Sequence, residues 1–159
     1  MAKEIERKFI VINDLFESMA ESCHHIAQGY VSLRKEGTVR IRVKDDTAWI
    51  TVKGISHGAE RDEWEYRIPV ADARQMLERV TEGAVIEKYR YLVPFQGHIW
   101  EVDRFLGSHK GLVMAEVELS ATDETVALPP FVGEEVTGDP RYYNSSLAAG
   151  RSPSGISSI

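Results

Sequence analysis

EIERKFIV, residues 4–11, alternates Glu4, Glu6 and Lys8 with Ile5, Arg7, Phe9 and Val11. That is the two-residue period of a β-strand with one charged face. The stripe returns along the chain. Arg40, Arg42 and Lys44 share a face opposite Val39, Ile41 and Val43, and Lys53 shares one with Thr51. Glu63, Glu65 and Arg67 stand opposite Trp64, Tyr66 and Ile68, and Lys88 and Arg90 opposite Tyr89 and Tyr91. Glu101 and Asp103 face away from Trp100 and Val102, and Glu116 and Glu118 from Val117 and Leu119.

On any single strand, a solvated face explains such alternation, with acidic and basic strands pairing across the ladder. The set as a whole asks for more. Same-sign charges recur two residues apart in Glu4/Glu6, Arg40/Arg42, Glu63/Glu65, Lys88/Arg90, Glu101/Asp103 and Glu116/Glu118. Such neighbours lie roughly 7 Å apart on a strand face and repel unless opposite charge comes between them. Few Thr, Ser or Gln dilute these faces. They are expected to converge on a ligand.

The remaining segments read as strands with a few helices. TVRIRVKDDTAWITVKG is a hairpin turning at Lys44-Asp45-Asp46-Thr47. AVIEKYRYLVPF and HIWEVDRFL pair through Gln96-Gly97, and GLVMAEVELSA adds another strand. Asn13 or Asp14 caps a short helix through LFESMAE. ADARQMLERVTEG places Ala73, Met76, Leu77 and Val80 at helical spacing, with Asp72 as cap and Gly83 as stop. Asp139-Pro140 starts a last helix through RYYNSSLAA. The count is about eight strands and three helices, which makes the class α+β: an eight-stranded antiparallel β-barrel with a few flanking helices.

The chain has 159 residues, of which 43% are hydrophobic and 28% charged, so it is expected to bury a core. No repeat or linker divides it; residues 1–150 read as a single domain and 151–159 as a flexible tail. A net charge of -6 argues against nucleic-acid or anionic-membrane partners, though not against a local basic pocket. Cys23 is the one cysteine, MAKEIERK lacks the apolar run of a signal peptide, and no stretch matches a membrane span. The expected location is the cytoplasm.

Clustered carboxylates without neighbouring His or Cys offer hard oxygen ligands suited to Mg²⁺ or Mn²⁺. Arg and Lys on facing strands offer charge-assisted hydrogen bonds to phosphate oxygens. Together they describe phosphoryl transfer to water.

Glu4 to Lys8 fits the ExExK signature of the CYTH superfamily, the triphosphate tunnel metalloenzymes. QGY (28–30), VRIRV (39–43), TVKG (51–54), EWE (63–65), EKYR (87–90), WEVDRF (100–105), AEVEL (115–119) and VTGDPRYYN (136–144) follow in order. In order and spacing the chain resembles the small bacterial members, the inorganic triphosphatases, over nearly its whole length. The resemblance implies a barrel that forms a tunnel around the triphosphate. By position, Lys8, Arg40, Arg42, Lys53, Lys88 and Arg90 match the phosphate-binding residues, and Glu4, Glu6, Glu116 and Glu118 the carboxylates around the metal. Glu63, Glu65 and Asp103 match further acidic tunnel positions that hold a second metal or orient water, and with Lys8 they form the expected catalytic set. Glu101, near the end of its run, is left out.

The implied reaction takes inorganic tripolyphosphate to pyrophosphate and phosphate in the presence of Mg²⁺ or Mn²⁺. A nucleoside or thiamine triphosphatase, a class IV adenylyl cyclase and a non-catalytic polyphosphate-binding module stay open as alternatives. Family likeness also implies a homodimer. The five histidines lack metal-ligand spacing and read as surface residues, and Cys23 as a partly buried thiol. No Walker-type loop is present. Tyr89, Tyr91, Trp64 and Trp100 are expected to pack under the helices, Tyr30 is open, and Arg141, Tyr142 and Tyr143 pack at one tunnel mouth or gate it.

Overall fold

The first strand, β1 (Ala2–Val11), meets three others, and this decides the architecture. Its first half pairs with β5 (Glu60–Ile68), Glu6 to Ile10 pair with β8 (Val113–Glu118), and Phe9 and Val11 pair with β9 (Val132–Glu135). Between them come β2 (Ser22–Ser32), β3 (Thr38–Lys44), β4 (Thr47–Lys53), β6 (Glu82–Phe95) and β7 (His98–Phe105). The computed structural model describes residues 2–150. In it the strands run β5-β4-β3-β2-β6-β7-β8-β1, and the β1–β5 pairing closes this eight-stranded ring. Every pairing is antiparallel. The Glu6 N–H donates to Ala59 O at 2.9 Å and the Val136 N–H to Lys8 O at 2.8 Å. Backbone groups of alternate residues point to one edge of a strand, so β5 and β9 occupy the same edge of β1 in succession. Strand β9 was not anticipated: VGEE is too short to show a period. The expected tail at 151–159 lies outside the described residues.

Two turns form where expected. Asp45 adopts φ 51°, and its carboxylate accepts the His25 N–H at 3.2 Å. Gln96 and Gly97 take φ 44° and 87°, the paired left-handed conformation that joins twisted strands.

The helices differ from expectation at their ends. In α1 (Leu15–Met19), Asp14 is the cap position, but it is Asn13 Oδ1 that accepts the Leu15 N–H, at 3.0 Å. The second, α2 (Val70–Arg79), starts directly after Pro69, whose φ of -61° leads into the first turn. Asp72 therefore lies inside that turn, where its charge still favours the positive helix end. Gly83 does not stop α2; it lies within β6 at φ 68°. The expected last helix begins as a 3₁₀ turn, Pro140–Tyr142, and only Asn144–Ala148 forms α3.

Outside the barrel, Phe9, Phe16, Trp100 and Phe131 form one core, and Ile41, Val43, Ala48 and Ala73 another beneath α2. A third closes one end of the interior. There the inward-facing rows turn apolar at Ile10, Tyr30, Ile86, Phe105 and Met114, packed with Leu147 and Ala148 of α3. Burying a leucine side chain contributes about 2 kcal/mol, enough to hold a five-residue helix that could not persist alone.

Candidate active site

The charged rows face inward. Glu4, Glu6 and Lys8 of β1, Arg40 and Arg42 of β3, and Lys53 of β4 line one cavity of about 490 Å³. Glu63 and Glu65 of β5, Arg90 of β6, and Glu116 and Glu118 of β8 complete the expected lining. Lys88 and Asp103 lie just behind the wall, fully or almost fully buried.

Opposite charges interleave. Lys53 Nζ reaches both Glu4 oxygens, at 2.9 and 2.8 Å, and Lys8 Nζ stands 3.4 Å from Glu116. Arg40 Nη2 donates to Thr51 Oγ1 at 3.2 Å, and Thr51 in turn donates to Glu65 at 2.7 Å. Asp103 accepts from Arg90 Nε at 2.8 Å and Nη2 at 2.9 Å, and Lys88 Nζ lies 2.7 Å from the same carboxylate. Lys8 Nζ also donates to the Tyr142 carbonyl at 3.2 Å.

Two departures from balance matter chemically. First, burial and the neighbouring Glu116 and Glu4 hold the Glu6 carboxyl well above the usual range. Clustered like charges repel, so such a group favours a retained proton or a bound cation. Second, Arg40 Nε is buried without an acceptor. An orphaned cationic donor in a cavity wall calls for an anion.

Other groups are tuned by the same contest. Burial and the nearby Glu4 carboxylate push Glu63 up to about 7. Burial raises Asp103, but Arg90 and Lys88 outweigh it and hold the carboxyl far below its ordinary value. Burial also raises Glu116, and there Lys8 and Arg90 prevail. Burial lowers Arg42 to about 9, reinforced by Arg40 and Arg90, and lowers Lys88 to about 7 against the pull of Asp103.

Among the described residues, no three His, Cys, Asp or Glu side chains are drawn together into a ready metal cage. The donor set nonetheless fits a hard divalent cation. Glu6 and Glu116 face each other diagonally across paired strands, and Glu4 and Glu118 line the same cavity. A cation there would relieve the repulsion that raises the Glu6 carboxyl.

Sequence reasoning left out Glu101, which lines the cavity and accepts from Arg90 Nη1 at 3.2 Å. It also missed Arg61, which shares the parity of Glu63 and Glu65, and Gln28 and Asn144, which no periodicity marks. Tyr30 is buried and lines the cavity. Cys23 is exposed rather than partly buried, and His109 is buried rather than on the surface. Tyr91 packs edge-on against Phe16 of α1, and Trp100 lies in the outer core against Phe9. Tyr89 is 40% exposed, with its ring edge-on to His25.

A family model described as CYTH domain matches residues 2–144. The chain is 50% identical over 147 residues to an inorganic triphosphatase of Acetivibrio thermocellus, covering 92% of this chain and 94% of that one. It is 36% identical over 149 residues to an inorganic triphosphatase of Nitrosomonas europaea, covering 91% and 96%. The crystal structure of the inorganic triphosphatase NE1496 superposes with a TM-score of 0.67 at 33% identity, over 96% of this chain and 99% of that one.

Proposed function

The chain belongs to the CYTH domain family, and from that premise we propose that it is a metal-dependent triphosphatase cleaving inorganic tripolyphosphate to pyrophosphate and phosphate. The observation that carries this reading is the convergence of acidic and basic rows on one cavity whose wall holds the orphaned Arg40 Nε. Arg40, Arg42, Lys53, Arg90 and Lys8 bind the phosphate chain as charge-assisted donors. Lys53 and Lys8 exchange Glu4 and Glu116 for phosphoryl oxygens as substrate enters. Lys88 and Asp103 act from behind the wall: Asp103 uses both oxygens on Arg90 and Lys88 and so fixes the guanidinium aimed at substrate.

Glu6, Glu116, Glu4 and Glu118 would hold Mg²⁺ or Mn²⁺, which when bound supplies charge neutralisation at the phosphates and acidifies the attacking water. Glu63 and Glu65 orient that water. Glu63, raised to about 7, is placed to accept its proton at neutral pH. No covalent intermediate forms. We also place the protein in the cytoplasm as a homodimer built from single domains spanning 1–150; among the described residues no helix is long and apolar enough to cross a membrane. Sedimentation of the purified protein at twice the monomer mass is the expected result for the dimer.

The decisive assay offers tripolyphosphate, ATP, thiamine triphosphate and pyrophosphate with Mg²⁺ or Mn²⁺, and follows phosphate and cyclic AMP. Phosphate released from tripolyphosphate well ahead of the rest, and lost in EDTA, is expected. Cyclic AMP from ATP, or binding without turnover, would overturn the assignment.

A further inference from the structure

A chain of hydrogen bonds behind the cavity wall has its direction fixed at both ends. Arg42 donates through Nε at 2.9 Å and Nη2 at 2.7 Å to Gln28 Oε1. Gln28 Nε2 donates to Asn144 Oδ1 at 3.0 Å, and the same oxygen accepts from Lys88 Nζ at 2.8 Å. A guanidinium only donates, and the Lys88 amine, beside the Asp103 carboxylate, donates as well. Gln28 must therefore turn its oxygen to Arg42, and Asn144 its oxygen to Lys88. Neither amide can flip without setting a donor against a cation. Gln28 is fully buried, so water offers it no substitute partner.

This leaves one group over. The Asn144 oxygen already accepts two bonds, while its Nδ2 makes none among the described residues. Asn144 lines the substrate cavity. Its backbone is held as firmly as its amide, since it opens α3, whose Leu147 and Ala148 are buried at the apolar end of the barrel. Within a wall of long cationic side chains, this is a neutral donor with fixed aim.

We propose that Asn144 contacts the substrate directly, donating from Nδ2 to a phosphoryl oxygen, and that Gln28 and Lys88 are the positioning residues that aim it. The proposal rests on the triphosphatase reading. Fixed donors are worth more than mobile ones because no reorganisation accompanies binding. Arg42, which lines the cavity, also gains, since it keeps a neutral acceptor that does not compete with phosphate for its charge.

The test is Asn144→Asp. It preserves shape and an acceptor for both Gln28 and Lys88, but replaces the free donor with an anionic oxygen. Steady-state hydrolysis of tripolyphosphate with Mg²⁺, and calorimetric binding of tripolyphosphate in EDTA, should both weaken by about tenfold or more, with KM rising and the thermal midpoint unchanged. Gln28→Glu supplies the second test. It still accepts from Arg42 but presents oxygen to oxygen at Asn144, so that amide either meets this repulsion or turns its NH₂ against Lys88; its aim is lost either way, and tripolyphosphate binding should fall similarly. Wild-type kcat/KM and affinity in either variant would overturn the proposal. A wild-type protein that binds tripolyphosphate in EDTA but releases no phosphate would refute the hydrolase reading, leaving the binding comparison to judge Asn144. A wild-type protein that does neither would end both.

Discussion

Asp103 accepts both a guanidinium and an ammonium while almost wholly buried. Removing one member of such a group leaves buried charge uncompensated, a loss of about 3–5 kcal/mol. Asp103→Ala should therefore lower stability by that order in urea denaturation as well as activity. Glu116→Ala and Arg42→Ala should behave differently. Each removes a group that faces the cavity, so hydrolysis should fall by about 100-fold or more while circular dichroism stays native. An activity near wild type in either variant would remove that residue from the proposed site. These positions were legible because a strand repeats every two residues, and a doublet such as Glu116/Glu118 marks its own face. Glu101 was misjudged although its parity with Asp103 placed it correctly; doubt about the register at the strand end outweighed the period. Gln28 and Asn144 carried no such mark, because their significance lies in partners more than a hundred positions apart in sequence.

At the scale of elements, α3 depends on Gly83. A Cβ there would approach Ala148 O to 2.1 Å, and its φ of 68° already disfavours other residues. Gly83→Ala should lower stability by about 1–3 kcal/mol and, by unseating α3, weaken tripolyphosphate affinity in EDTA; a variant with both unchanged would show that α3 does not serve the site. The segment joining β8 to β9 offers a pH prediction. Ser120 N–H and Oγ each donate to Glu124 at 2.6 Å and His98 Nε2 lies 2.5 Å from it, bringing its carboxyl down to about 2. A folded pKa below the unfolded one gives stability that is present above the unfolded value and disappears as pH falls through the folded one. Glu124 should thus hold this segment above about pH 4.5 and release it progressively toward pH 2. Hydrogen exchange of the Ser120 amide checks this, and Glu124→Gln should flatten the dependence. Element ends were the least legible feature. The first turn of α2 follows from Pro69 rather than from the Asp that seemed its cap, and β9 is recognised by its pairing with β1, not by its composition.

For the whole molecule, antiparallel closure followed from counting alternating runs, and the inward direction of the charges followed from their mutual repulsion. The apolar plug at one end could not be foreseen, because Ile86 and Phe105 continue the parity of the charged rows and look like ordinary core. The sharing of one edge of β1 by β5 and β9 has a kinetic consequence. Strand β1 must wait for partners near residues 60, 113 and 132, all later in the chain, before its ladders are satisfied. Non-local pairings of this kind slow folding, since distant segments must meet before any contact rewards the encounter. A nascent chain halted before Val132 should leave the rear half of β1 open to chaperones or to strand exchange with another molecule. Limited proteolysis of stalled chains should then cut near Phe9 until Glu135 has emerged, and protection gained earlier would show that the rear half of β1 is covered without β9.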